Sequence, residues 1–78
     1  MKRVTKALIL IKSSYGGALV LAQEVKKIPG VKEAYPVFGR YDVAVFIDVA
    51  DFPRVKETAV KVGQLEGVRS TETLPEGD

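Results

Sequence analysis

Neither cysteine nor histidine occurs in these 78 residues, and tryptophan and asparagine are missing as well. Without cysteine and histidine there is no disulfide and no ordinary structural zinc site to support a small fold. The same absence removes the imidazole base, the thiol nucleophile and the CxxC metal loop from the available chemistry, so no metal or cofactor is expected. Lack of the thermolabile residues Asn and Cys fits a protein from a hot environment. Charge of one sign is also missing: twelve basic and ten acidic residues are spread along the chain for a net charge of +2, which is no electrostatic footprint for direct nucleic-acid binding. No apolar run approaches the roughly 18 residues of a membrane span. The run Ala7 to Ile11 that follows Met1-Lys2-Arg3 stops at Lys12, too soon for a signal peptide. The expectation is a soluble, cytoplasmic protein without a membrane partner.

The length sets a second bound. Residues 1–78 read as one domain, and a domain of this size buries only about 60% of the surface its unfolded chain exposes. With staples excluded, association with further copies is the remaining route to stability.

What is present is a repeat. Ile28-Pro29-Gly30-Val31-Lys32 returns 37 residues later as Leu65-Glu66-Gly67-Val68-Arg69, and the same offset lays Ala7 to Leu10 onto Ala44 to Ile47, and Ala22 and Val25 onto Ala59 and Val62. Val4 to Lys12 is a breaker-free apolar run of strand length. Ser13-Ser14 offers an N-cap and Gly16-Gly17 a bend; Ala18, Leu21, Ala22, Val25 and Ile28 then recur at helical spacing up to Pro29-Gly30. Val31 to Phe38 reads as a second strand with Val31, Tyr35 and Val37 on one face, and Pro36 places it at a sheet edge or a bulge. Gly39 to Asp42 supplies a hairpin turn before a third strand, Val43 to Val49. Asp51 caps a second helix with the stripe Phe52, Val55, Ala59, Val62 and Leu65 and an i,i+4 pair, Glu57 and Lys61. That helix closes at Gly67, a fourth strand runs from Val68 to Leu74, and Pro75 to Asp78 is a tail. The fold class is therefore α+β: a ferredoxin-like βαββαβ order, with a four-stranded antiparallel sheet and two helices on one face.

An antiparallel sheet covered on one side normally alternates apolar with polar residues. Its two apolar strands here do not alternate, because Leu8 and Leu10 oppose Ala7, Ile9 and Ile11, while Ala44 and Phe46 oppose Val43, Val45, Ile47 and Val49. An open face of that kind exceeds what a soluble monomer exposes, and the same face of a second copy in an isologous dimer covers it. Val20 lies off the apolar stripe of the first helix and reads either as a further contact or as a lone exposed valine.

Chemistry is scarce. Ser13, Ser14 and Ser70 have no identifiable base and read as capping or hydrogen-bonding residues. Gly16-Gly17 precedes a helix without a phosphate-loop signature and reads as a turn. RNA recognition on such a sheet uses stacking aromatics where this chain has aliphatics. Two polar patches break the repeat: Gly39-Arg40-Tyr41-Asp42 and Ser70-Thr71-Glu72-Thr73. Hydroxyls, backbone amides and one carboxylate suit a small zwitterion, with Asp42 receiving an α-amino group. Read only as a turn and a β-forming surface, they stand equally well.

Ile28-Pro29-Gly30-Val31, then Gly39-Arg40-Tyr41-Asp42 leading into an aliphatic strand, then Gly67-Val68-Arg69-Ser70-Thr71-Glu72-Thr73 resemble the effector (RAM) domain of the Lrp/AsnC feast/famine transcription regulators over about residues 5 to 75. The resemblance implies dimers formed through the sheet, association of dimers into an octamer or similar ring, and an amino-acid effector bound between dimers. Its binding motifs fall on Gly39, Tyr41, Asp42, Ser70, Thr71 and Thr73, with Arg40 at a variable position. Regulators of this family carry an N-terminal helix-turn-helix, whereas this chain enters its first strand by Val4, so the expectation is a stand-alone effector domain without direct DNA binding. It would act through ligand binding or through assembly with full-length relatives. Two other readings remain open: a small dimeric α+β barrel enzyme, and a purely structural partner of full-length regulators that binds no ligand.

Overall fold

The computed structural model describes residues 4–14 and 17–75. Gly16 of the expected bend and the tail beyond Pro75 lie outside the described residues. The elements are β1 (Thr5–Ser13), α1 (Ala18–Val25), β2 (Val31–Pro36), β3 (Val43–Val49), α2 (Phe52–Gly63) and β4 (Val68–Pro75). They form one antiparallel sheet in the order β2-β3-β1-β4. The two apolar runs are its central strands, and both helices pack on one face, as the βαββαβ pattern requires.

Pairing of β1 with β3 sets the core. Ala7, Ile9 and Ile11 lie opposite Ile47, Val45 and Val43, and all six side chains are buried. Leu21, Ala22 and Val25 from α1 and Val55 and Val62 from α2 close over them. Each fully buried Ile or Val contributes about 1.5–3 kcal/mol relative to exposure, so this layer dominates the stability of a small domain. Thr58 is also buried, which the apolar stripe of α2 did not include; its hydroxyl donates to the Arg54 carbonyl at 2.9 Å.

Several local expectations are corrected. The N-cap of α1 is Gly17, without a side-chain cap, and Ser13 belongs to β1. α1 ends at Val25 and α2 at Gly63, because tight turns rather than further helix carry the chain to Gly30 and Gly67. β2 stops at Pro36. A register shift between Val31 and Glu33 reverses its alternation, so Ala34 faces the core and Tyr35 stands on the opposite side. Of the two positions that Pro36 suggested, the edge is the one observed, and the irregularity lies at Val31 to Glu33 rather than at Pro36. Asp51 caps α2 by accepting from the Arg54 N–H at 3.1 Å, with Pro53 in the first turn. Glu57 and Lys61 are not among the ion pairs of the described residues, as is common for solvated i,i+4 charges.

Gly30 and Gly67, equivalent in the repeat, both have positive φ, +98° and +94°. Their surroundings differ. A Cβ on Gly30 would stand 2.9 Å from both Thr58 Oγ1 and Val49 Cγ1, whereas at Gly67 no atom of the described residues lies within 4 Å. Gly67→Ala is expected to cost about 1–2 kcal/mol through backbone conformation alone. Gly30→Ala adds overpacking of about 1–3 kcal/mol to a similar strain. Chemical denaturation of the two variants checks the order.

Candidate functional site

The sheet face turned away from the helices carries Leu8, Leu10, Ala44, Phe46, Tyr35 and Leu74. Register places Leu8 between Phe46 and Leu74, and Leu10 between Ala44 and Glu72. Tyr35 meets Phe46 edge-on at 6.2 Å between ring centroids. Phe46, Leu74 and Tyr35 are 40%, 42% and 45% exposed, so an aliphatic and aromatic surface faces outward across all four strands. A shallow depression of about 230 Å³ lies within it beside Lys6, Leu8, Phe46 and Leu74.

One end of this face is bounded by the β2–β3 turn. Gly39 takes φ +109°, which an L-residue rarely adopts, and the chain then doubles back so that the Val37 N–H donates to the Asp42 carbonyl at 2.9 Å. Four further hydrogen bonds fasten the turn to β1. The Asp42 N–H donates to the Ile11 carbonyl at 2.8 Å, and the Lys12 ammonium donates to the Arg40 carbonyl at 3.0 Å. Asp42 Oδ2 accepts from the Ser13 N–H at 2.8 Å and from the Ser13 hydroxyl at 3.2 Å. Tyr41 reaches past β1 and donates its hydroxyl proton to Glu72 Oε1 on β4. Phe38, by contrast, is fully exposed.

These bonds shift the titrations. The Ser13 N–H holds the Asp42 carboxyl below the usual carboxylate range, opposed by desolvation and assisted by the Ser13 hydroxyl and the Lys12 charge. The Glu72 hydrogen bond raises the Tyr41 hydroxyl, with desolvation and the Glu72 charge acting in the same sense and Arg40 opposing them.

Of the six residues picked from sequence, Gly39, Tyr41 and Asp42 share the turn, and Ser70 lies across β1 from it, opposite Lys12. Thr71 and Thr73 do not join that group. They pair with Ile11 and Ile9, whose side chains point into the core, so alternation puts both threonines on the helix-covered side. Thr73 accordingly lines a groove with Phe52, Val55 and Ala59 of α2. Within one copy β1 separates Asp42 from β4, two strand spacings or about 10 Å. Sequence reading overlooked Ser13 as the partner of Asp42 and Glu72 as the partner of Tyr41. For Glu72 the period-2 alternation was the available signal, since it shares a face with Ser70 and Leu74. The register that joins Ser13 to Asp42 had no such local signal.

Residues 6–75 match the model of the Lrp/AsnC ligand binding domain. The chain belongs to the Lrp/AsnC family. It is similar, at 34% identity over 68 residues, to the HTH-type transcriptional regulator FL11 of Pyrococcus furiosus; the match takes in 87% of this chain and 45% of FL11. The chain thus spans under half the length of that regulator. Among solved structures it is similar to TTHA0845 from Thermus thermophilus, with TM-score 0.87, 28% identity, and coverage of 95% of this chain and 94% of that one. The same fold occurs in the Neisseria meningitidis transcriptional regulator NMB0573, solved as a complex with L-Met, with TM-score 0.79 and 17% identity over 95% of this chain and 50% of that one. No helix among the described residues is long and apolar enough to cross a membrane.

The Asp42–Ser13 contact makes stability depend on pH in a defined direction. A depressed carboxyl pKa contributes fully above the unfolded value of about 3.9 and is lost as pH falls through the lower folded value. Asp42→Ala is therefore expected to lower the urea midpoint at neutral pH. The gap from wild type should close as the acid limb is descended, which midpoints measured across that range will show.

Proposed function

We propose that this Lrp/AsnC ligand-binding domain is a non-enzymatic, amino-acid-responsive assembly module. Copies pair through the open sheet face, and an amino acid held between such dimers shifts the assembly equilibrium toward the form that binds it. The observation that carries this reading is the uncovered face itself. An isologous partner would bury Leu8, Leu10, Phe46 and Leu74 against their own counterparts, the sheet-on-sheet arrangement of a two-layer interface.

For the ligand, the turn supplies a rigid, exposed backbone at Gly39 and Arg40 together with Tyr41. Asp42 Oδ2 already accepts two hydrogen bonds from Ser13, so its leading role is to hold the turn in shape. Within one copy β1 keeps Ser70, Thr71 and Thr73 away from the turn, so they would complete the site only from a neighbouring dimer, Ser70 from the open side of β4 and Thr71 and Thr73 from the helix-covered side. That NMB0573 shares the fold and was solved with L-Met supports an amino acid as the class of ligand.

The barrel-enzyme alternative finds no support in the described residues. Glu72, a carboxylate on the open face, is engaged by Tyr41, and the centre of that face, Leu8, Leu10, Ala44 and Phe46, is apolar.

Phe46→Glu would place an unpaired carboxylate in the sheet interface, at a cost of about 3 kcal/mol or more, equivalent to at least about a 100-fold weaker dimer. Sedimentation velocity over a concentration series is expected to show the variant as a monomer where wild type is a dimer. Calorimetric titration with a panel of the common amino acids is expected to give saturable heat for at least one. Asp42→Ala should weaken that binding; a panel without heat removes the amino-acid ligand from the proposal.

A further inference from the structure

Tyr41 is held from two directions. Through its backbone it belongs to the turn that Lys12 and Ser13 fasten to β1, and through its hydroxyl it reaches Glu72 on β4. The turn precedes β3, while β4 flanks the far side of β1, so the hydrogen bond spans β1. It does so on the open side. Glu72 pairs with Leu10 and shares its face with Ser70 and Leu74, away from the helices.

β4 is an edge strand, where a carboxylate is free to turn outward to water. The Tyr41 hydroxyl draws it inward instead. Other charges of the open face are held at its margins: Asp48 by Lys32 at 3.5 Å, Lys12 by the Arg40 carbonyl at 3.0 Å, and Glu33 on β2 beside the Tyr35 hydroxyl. Among the described residues Glu72 is in no ion pair, so the bond brings no cation across the face. What it fixes is an aromatic ring. Tyr41 is half-buried, and with its hydroxyl tied to β4 its ring extends the apolar surface of Leu8, Leu10, Phe46 and Leu74 toward the turn.

In a single copy this bond lies in water, which competes for both groups and leaves it a small share in folding. Covering the face changes the balance. A second sheet packs about 10 Å away and removes water from the ring and the bond together, and a charge-assisted bond strengthens as water leaves. A tyrosine already fixed in position is a strong interface anchor, because it buries a large ring at little further cost in entropy. Glu72 also raises the hydroxyl above its ordinary value, which keeps the donated proton in place through the neutral range.

We propose that Tyr41 is an anchor residue of the sheet interface and that Glu72 is the residue that positions it. The turn then serves pairing through the Tyr41 side chain and ligand through the Gly39 and Arg40 backbone. This rests on the sheet-paired dimer proposed above. In an isologous pair the anchor and its latch each occur twice, so one substitution is felt at two places.

Sedimentation equilibrium on the full chain without added amino acids tests this, accompanied by thermal melts at concentrations where the chain is monomeric. Tyr41→Ala is expected to weaken the dimer about 30-fold or more, the loss typical of an anchor. Tyr41→Phe keeps the ring and loses the latch, and Glu72→Ala loses the same latch from the other side. Each should weaken the dimer roughly tenfold, and the double variant no more than either alone. Glu72→Gln, whose side-chain carbonyl still accepts from Tyr41, should pair like wild type, and the monomer melts of Tyr41→Phe and wild type should coincide. Tyr41→Ala that pairs like wild type overturns the anchor. Losses from Tyr41→Phe and Glu72→Ala that add in the double variant, or Glu72→Gln as weak as Glu72→Ala, overturn the positioning role; in each of these cases the sheet pairing stands. A wild type that stays monomeric, or whose dimer survives Phe46→Glu, overturns the sheet pairing and the anchor together.

Discussion

The pairing of β1 with β3 is the constraint from which the rest follows. Its seven registered residue pairs place branched aliphatics on both faces of the sheet at once. One face is satisfied within the chain by α1 and α2, which bury Ile9, Ile11, Val43, Val45 and Ile47 almost completely. The other has no cover among the described residues. A small domain without a disulfide gains from burying such a face, which is what the proposed sheet pairing would do.

The same pairing positions the turn. Because β3 begins opposite Ile11, Asp42 falls beside Ser13, and the carboxylate finds two donors there. Because β4 pairs along the other edge of β1, Glu72 comes within reach of Tyr41. The turn is thereby tied to both central and edge strands, and its shape is coupled to the open face of the sheet. A ligand resting on Gly39 to Tyr41 would act on backbone that Lys12, Ser13 and Glu72 already hold. Ligand occupancy and assembly can then influence one another without a large rearrangement, since both use the same rigid frame.

Fold class was legible from the chain because it depends on periodicity and breakers, which are local. The 37-residue echo mirrors the element order, and Pro36 pointed to an edge position or a bulge. What escaped depends on register. A shift between Val31 and Glu33 turned Tyr35 to the open face, and no property of Tyr35 itself signals an extra residue upstream. Ser13 reads as a helix cap in isolation, yet β1 extends through it and its donors go to a carboxylate 29 residues away. In the polar patch of β4, sequence supplies composition but not facing: Ser70 and Glu72 share one side, Thr71 and Thr73 the other. Family membership identifies the domain without resolving that division.

A duplicated plan also implies that equivalent places should be equally packed, unless something else occupies them. Gly30 obeys that rule with Val49 and Thr58 in contact range, and Gly67 does not. Leu21 is buried against the sheet, and among the described residues no atom comes within contact range of a Cβ at Gly67, while two aliphatics on the same helix are exposed. The asymmetry between the glycines and the exposure of Leu19 and Val20 are thus two sides of one arrangement. Each half of the repeat keeps an outward apolar surface, Leu19 and Val20 on α1 and Phe52 and Val60 on α2, but only the first lies beside an uncrowded glycine.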